Sequence, residues 1–335
     1  MTKSAVVLFN LGGPDSEDAI RPFLFNFFMD KNIIGAPQAI RWMLAKYISE
    51  KRGRGAAREN YGYLNYCSPL LENTRAQAKE LQAVLGDGFR VFPCMRYWHP
   101  MADEVAQQVK TYAPDNIVLL PLYPQYSTAT TKSSFEEWDR AAQAAGLSVP
   151  TEKIGCYPVD DGFIQASADH VRSVYEALTV ETVKKPRILF SAHGLPESVI
   201  KKGDPYQGQC EQTAAAIVAR LAQPGLDWSL CYQSRVGPKK WIGPSTEEAL
   251  RRAGQDKVPV LIYPLAFTQE HVETLVEIEI EYRALAETLG VPGFARAPTV
   301  GTHPAFIAGL AELVRGEKKS TPACPESCVK CGCRL

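Results

Sequence analysis

Six short apolar runs, each closed by turn residues and followed by a helix-like stretch, constrain this chain more than any other feature. They occupy residues 5–11, 90–94, 117–123, 187–192, 228–232 and 258–267. A strand that is apolar on both faces must be covered on both sides, and a parallel sheet between helices provides that cover. Residues 101–112, 163–178, 211–221, 246–253, 271–289 and 305–314 read as helices. The alternation predicts an α/β chain with parallel sheets.

The two halves echo each other in order. Val6-Val7-Leu8-Phe9-Asn10-Leu11-Gly12-Gly13-Pro14 is similar to Ile188-Leu189-Phe190-Ser191-Ala192-His193-Gly194-Leu195-Pro196. Val118-Leu119-Leu120-Pro121-Leu122-Tyr123 is similar to Val260-Leu261-Ile262-Tyr263-Pro264-Leu265. Met95-Arg96-Tyr97-Trp98-His99-Pro100 takes the place that Tyr232-Gln233-Ser234-Arg235-Val236-Gly237-Pro238 takes in the second half. The expectation is two similar doubly wound, Rossmann-like α/β domains, at 1–155 and 156–315, with a cleft between them and a cysteine-rich tail at 316–335. Parallel sheets deliver their strand ends to one rim, where residues distant in sequence meet.

Charge narrows the function. The 335 residues carry 37 basic and 37 acidic side chains, and that zero balance argues against a nucleic-acid partner, which needs a basic footprint. No segment reaches the ~18 unbroken apolar residues of a membrane span. The first apolar run passes into Leu11-Gly12-Gly13-Pro14 without a small-residue cleavage pattern, so a cytoplasmic protein with reduced thiols is expected.

Two segments supply rim candidates. Ser191-Ala192-His193-Gly194-Leu195-Pro196 and Gln269-Glu270-His271-Val272-Glu273-Thr274-Leu275 each follow an apolar run. A histidine and a glutamate meeting there can move protons or hold a divalent metal. Gly194 and Pro196 suggest a constrained turn that holds the His193 ring in place. Glu273, Glu277 and Glu281 recur every four residues, one slowly drifting stripe on a helix. Like charges at that spacing repel, so the stripe is either a solvated face or a handler of protons and cations. Val272, Leu275, Val276 and Ile280 give the same helix an apolar face. His99, His271 and His303 are weaker candidates, and His170 reads as structural.

Residues 21–48 are dense in large apolar side chains, Phe23, Phe25, Phe27, Phe28 and Trp42 among them, broken by prolines and charges. They read as helix cores, or as an apolar lip over a flat hydrophobic ligand or against a membrane. Lys51-Arg52-Gly53-Arg54-Gly55 follows, either a solvated loop or a grip on a ligand carboxylate.

Of nine cysteines, Cys67, Cys94, Cys156, Cys210 and Cys231 are scattered, as small core residues are. Cys324, Cys328, Cys331 and Cys333 crowd the tail, and Cys324, Cys331 and Cys333 form C-x6-C-x-C. Such thiolates hold zinc or an iron–sulfur centre, or form a labile disulfide.

Taken in order, eight strings resemble the ferrochelatase family: Phe9-Asn10-Leu11-Gly12-Gly13-Pro14, Arg96-Tyr97-Trp98-His99-Pro100, Leu122-Tyr123-Pro124-Gln125-Tyr126-Ser127, Ser191-Ala192-His193-Gly194-Leu195-Pro196, Gly203-Asp204-Pro205-Tyr206, Tyr232-Gln233-Ser234-Arg235-Val236-Gly237-Pro238, Trp241-Ile242-Gly243-Pro244 and Ala266-Phe267-Thr268-Gln269-Glu270-His271-Val272-Glu273-Thr274-Leu275. The resemblance implies a chelatase-like fold and a lyase of haem biosynthesis that inserts Fe²⁺ into protoporphyrin IX, giving protohaem and two protons. It implies His193 as the catalytic histidine, either pyrrole proton acceptor or iron ligand, and Glu273 as its partner in the metal site. Glu277 and Glu281 continue the proton and metal path. Leu11, Arg96, Tyr97, Tyr123 and Trp241 match porphyrin-site positions, and Arg52 is similar to a propionate partner. Coproporphyrin III as the substrate, or a non-catalytic haem carrier or iron–sulfur sensor on the same fold, are the alternatives.

Some members of the family carry a [2Fe–2S] cluster. The animal-type internal cysteine follows the Tyr-Pro-Gln-Tyr-Ser string, where this chain has Thr128. The chain instead resembles the bacterial type, which implies Cys156, Cys324, Cys331 and Cys333 as ligands and Cys328 as the spare. The implied partners are the porphyrin, Fe²⁺ and a peripheral membrane contact, and the chain is expected as a monomer or homodimer.

Overall fold

The computed structural model describes residues 2–317 except 183, 236 and 238. The chain divides into two compact units, 1–123 with 127–155, and 124–126 with 156–335.

Unit 1 runs β1 (Ser4–Asn10), α1 (Ile20–Phe28), α2 (Gln38–Arg54), α3 (Ala56–Gly62), α4 (Leu70–Leu85), β2 (Phe89–Met95), α5 (Ala102–Tyr112), β3 (Asn116–Pro121), α6 (Ser133–Ala145) and β4 (Thr151–Lys153). Its sheet has the order β2-β1-β3-β4, all parallel. All seven residues of β1 are buried, as a central strand covered on both faces must be. On one face Phe9 packs edge-on against Phe135 and Trp138 of α6, with centroids 6.0 and 6.2 Å away. Such pairs add about 0.5–1.5 kcal/mol beyond their area burial.

Unit 2 runs α7 (Asp161–Thr182), β5 (Arg187–His193), α8 (Glu197–Ile200), α9 (Tyr206–Leu221), β6 (Trp228–Gln233), α10 (Thr246–Asp256), β7 (Val260–Pro264), a π-helical stretch (Glu273–Tyr282), α11 (Arg283–Thr288), β8 (Phe294–Arg296) and α12 (Pro304–Val314). Its sheet repeats the pattern as β6-β5-β7-β8, again all parallel. The expected α/β architecture with two similar parallel sheets is what the chain adopts. In each sheet the central pair, β1 with β3 or β5 with β7, is where the strand order changes direction, the place ligands favour in open α/β sheets.

The structure differs from the sequence reading in several places. The run at 258–267 is a strand only over Val260–Pro264, because the Phe267 N–H bonds back to the Pro264 carbonyl at 3.2 Å and turns the chain out of the sheet. The helix expected at 211–221 starts earlier, at Tyr206. The helix expected at 271–289 is π-helical over Glu273–Tyr282 before becoming α-helical. Gln233 Nε2 reaches the Glu273 carbonyl oxygen at 3.3 Å, and a side chain drawn into the helical ladder in this way opens it. No helix among the described residues is long and apolar enough to cross a membrane.

Candidate active site

His193 ends β5 and lies in register with Gln233, which ends β6. Its Nδ1 is 2.8 Å from Oε2 of Glu273, the first residue of the π-helical stretch. When the Nδ1–H donates to that carboxylate, the imidazole lone pair sits on Nε2. The turn after His193 needs glycine. A Cβ on Gly194 would lie 2.9 Å from the Gln233 carbonyl oxygen and 3.3 Å from Cε3 of Trp241. Trp241 is half-buried and bridges Pro196 in antiparallel fashion, which places its indole over this turn.

Glu277 is held from four directions. Its Oε1 accepts from the Ser234 backbone N–H at 2.8 Å and from the Tyr282 hydroxyl at 3.0 Å. Its Oε2 accepts from the Ser234 hydroxyl at 2.5 Å and from Gln233 Nε2 at 3.0 Å. The same hydroxyl is 3.4 Å from Oε2 of Glu273, so Ser234 stands between the two carboxylates. Ser234 has a φ of 60°, a left-handed conformation uncommon for serine. Its N–H and its side chain both meet Glu277.

The two carboxyls are pushed apart in acidity. Burial raises both. In Glu273 the charge and hydrogen bond of His193, with help from His271 and Ser234, override burial and hold the carboxyl at about 2. In Glu277 burial and the neighbouring Glu273 charge prevail over Ser234, and its pKa is raised. Adjacent carboxyls displaced in opposite directions are a mark of acid–base sites. His271 is buried, and burial lowers its pKa. Its Nδ1 is 3.1 Å from the Gln269 carbonyl oxygen, and its Nε2 is 4.0 Å from Glu273 Oε2. Glu281 is exposed, so the stripe runs outward from His193 to solvent.

The unit 1 candidates gather at the carboxyl ends of β1, β2 and β3. The Arg96 N–H bonds to the Asn10 carbonyl at 2.8 Å and the Tyr97 N–H to the Leu11 carbonyl at 2.9 Å. Tyr123, two residues past β3, is buried among Phe9, Phe135 and Trp138. Arg52 lies half-buried in the last turn of α2. Arg96 and Tyr97 share a partner that sequence reasoning missed. Asp30, with its side chain only 1% exposed, accepts from Arg96 Nη2 at 3.2 Å and from the Tyr97 hydroxyl at 2.8 Å, and Ser133 donates to it as well. Gln233, Ser234 and Tyr282 were likewise missed as partners of Glu277. The signal for the first two was their place at a strand end, aligned with the His193 strand.

Cys156 is buried, with Gln209 Nε2 3.3 Å from its sulfur. Cys324, Cys328, Cys331 and Cys333 lie outside the described residues. Among the described residues no three His, Cys, Asp or Glu side chains are grouped to hold a metal ion. His193 and Glu273 are together two groups of a kind that can ligate a metal ion.

The chain has relatives among known proteins over nearly its whole length. A ferrochelatase of Caulobacter vibrioides is 50% identical over 346 residues, covering 99% of this chain and 98% of the relative. A ferrochelatase from Wolbachia of Drosophila simulans is 50% identical over 315 residues, covering 93% of this chain and 98% of its own. The fold matches the sirohydrochlorin chelatase SirB of Bacillus subtilis subspecies spizizenii, solved with cobalt, at a TM-score of 0.54 and 14% identity, covering 94% of each chain. The ferrochelatase family model spans residues 3–318, nearly all of both units, and with relatives matched from end to end the chain belongs to the ferrochelatase family.

Proposed function

We propose that this protein is a lyase of haem biosynthesis that inserts Fe²⁺ into protoporphyrin IX, releasing two protons as protohaem forms. The observation that carries the assignment of roles is the 2.8 Å pair of His193 and Glu273. A base oriented by a carboxylate is the usual arrangement for drawing a proton from a reacting group. His193 takes the pyrrole protons through Nε2, and Glu273 stabilises the imidazolium that results. The same two side chains meet the incoming iron. Protons leave past Glu277, whose raised pKa lets it carry one, toward exposed Glu281.

The porphyrin is proposed to lie against Leu11, Arg96, Tyr97, Tyr123 and Trp241, with Arg52 near a propionate. The two units are read as two domains followed by a tail at 316–335. Cys156, Cys324, Cys331 and Cys333 are proposed to hold a [2Fe–2S] cluster of the bacterial type, a centre that can transfer single electrons. The buried position of Cys156 suits one ligand of such a centre. The exposed apolar side chains of α2 are proposed as a peripheral membrane contact of a cytoplasmic protein.

The test is anaerobic turnover with Fe²⁺ and either protoporphyrin IX or coproporphyrin III, followed by loss of porphyrin fluorescence, with His193→Ala as control. Preferred use of protoporphyrin that the control lacks supports the reading. Preference for coproporphyrin changes the substrate, and binding without turnover points to a carrier.

A further inference from the structure

The helices α1 and α2 of unit 1 border a set of residues that the acid–base chemistry does not use. A cavity of about 560 Å³ opens there, walled by Phe25 and Trp42 and flanked by Arg21, Lys46, Arg54 and Arg58. Its acids Glu17, Asp18 and Glu50 leave the basic residues in excess by one. The excess is concentrated on α2. Glu50 is shared by two guanidiniums, Arg21 and Arg54, while the Lys46 ammonium lies 5.1 Å from the Trp42 ring centre. Along its length α2 carries Arg41, Lys46, Lys51, Arg52 and Arg54 against the single acid Glu50, in a chain whose formal charge is zero.

The same helix presents apolar surface to solvent. Of the ten large hydrophobic side chains exposed among the described residues, five are Ile40, Trp42, Met43, Leu44 and Tyr47, with Met43 58% and Tyr47 64% exposed. Basic and apolar side chains on one exposed helix suit the boundary of an anionic membrane, where the apolar groups enter the acyl region and the cations meet phosphate. A soluble phosphate ligand would leave those apolar residues without a role.

We propose that the α1–α2 cavity binds the headgroup of an anionic phospholipid in a bilayer, its phosphodiester between Lys46 and Arg54 and the start of an acyl chain against Phe25 and Trp42. This rests on the reading of α2 as a membrane-contacting helix and gives that contact a lipid preference. Lys and Arg pair with phosphate through charge-assisted hydrogen bonds, so the contact is selective for headgroup charge as well as adhesive.

Co-sedimentation of the full chain with vesicles tests it, using phosphatidylcholine alone or mixed with phosphatidylglycerol. The expected result is binding to the mixed vesicles that weakens with added salt and falls roughly fivefold for Lys46→Gln and again for Arg54→Gln. Trp42→Ala weakens binding to both kinds of vesicle. Thermal melts of all three variants match the parent, which shows that they fold. Equal binding to the two vesicle types, or no effect of the Lys46 and Arg54 variants, overturns the headgroup site and leaves the membrane contact standing. No binding to either vesicle overturns both. Displacement from mixed vesicles by inorganic phosphate at constant ionic strength reassigns the cavity to a soluble anion and overturns the lipid proposal.

Discussion

His193 and Glu273 are 80 residues apart in the chain, and a 2.8 Å hydrogen bond joins them. The bond fixes which imidazole nitrogen is basic. His193→Ala is therefore expected to lower iron insertion by about 10²–10⁴-fold, the usual worth of a positioned base, while porphyrin still binds. Stopped-flow loss of porphyrin fluorescence with iron, set beside equilibrium binding without it, separates the two. Near-normal turnover by the variant removes His193 from the role.

The Glu273 carboxyl is held at about 2, against an ordinary 4.5. A depressed carboxyl adds stability that is fully present above its unfolded value and is lost as pH falls through its folded one. The stability gap between the parent and Glu273→Gln should shrink below about pH 4.5 and close near pH 2. Glu277 has the opposite sign. Its raised pKa gives a contribution present below 4.5 that is lost as pH rises through the folded value. Urea titrations across this range check both, and a constant gap for Glu273→Gln contradicts the first.

Ser234 is the clasp on Glu277. Ser234→Ala removes the 2.5 Å hydroxyl bond and keeps the backbone one. A half-buried carboxylate that loses a donor costs about 1–3 kcal/mol, and less when the group can take up a proton. The loss of stability should therefore be larger at neutral pH than in acid. Thermal melts at two pH values decide it, and equal losses at both would mean the hydroxyl is not serving an ionised Glu277.

Asp30 holds Arg96 and Tyr97 together from a fully buried position. Asp30→Ala takes the buried counter-ion from a guanidinium that is itself only 17% exposed, and breaking such a pair costs about 3–5 kcal/mol. Chemical denaturation measures this. Asp30→Asn, which keeps the shape and loses the charge, should fall between the variant and the parent.

The cysteine assignment makes its own prediction. Cys156→Ser should bleach the visible absorption of the purified protein, and Cys328→Ser should leave it intact. Bleaching by Cys328→Ser alone means that the ligand set is wrong.

The strands were legible because burial on both faces writes an uninterrupted apolar run, as β1 and β7 show. The three-residue edge strands β4 and β8 were not. β4 is three exposed residues, Thr151–Lys153, and has no apolar signature. α2 was legible only in part: residues 21–48 read as helix cores or an apolar lip, and because its large apolar side chains point to solvent, the buried stripe that would mark its bounds is missing. His193 and Glu273 were found from their places after strands. Asp30 went unnoticed, although it is the single acid between residues 21 and 48, because an isolated charge gives no spacing to read. The π-helical bonding of Glu273–Tyr282 was hidden too, since acids four apart form one stripe under either winding.

That winding gives the site a reading frame. A π-helix closes each hydrogen bond over one more residue than an α-helix does. Ile278 and Tyr282 are anchored in the unit 2 core while Glu273 and Glu277 meet His193 and Ser234. Substitutions along this element can be absorbed one side chain at a time. A single deletion cannot, because it shifts every later residue against both sets of partners at once. The chemistry here depends on residue count as much as on residue identity.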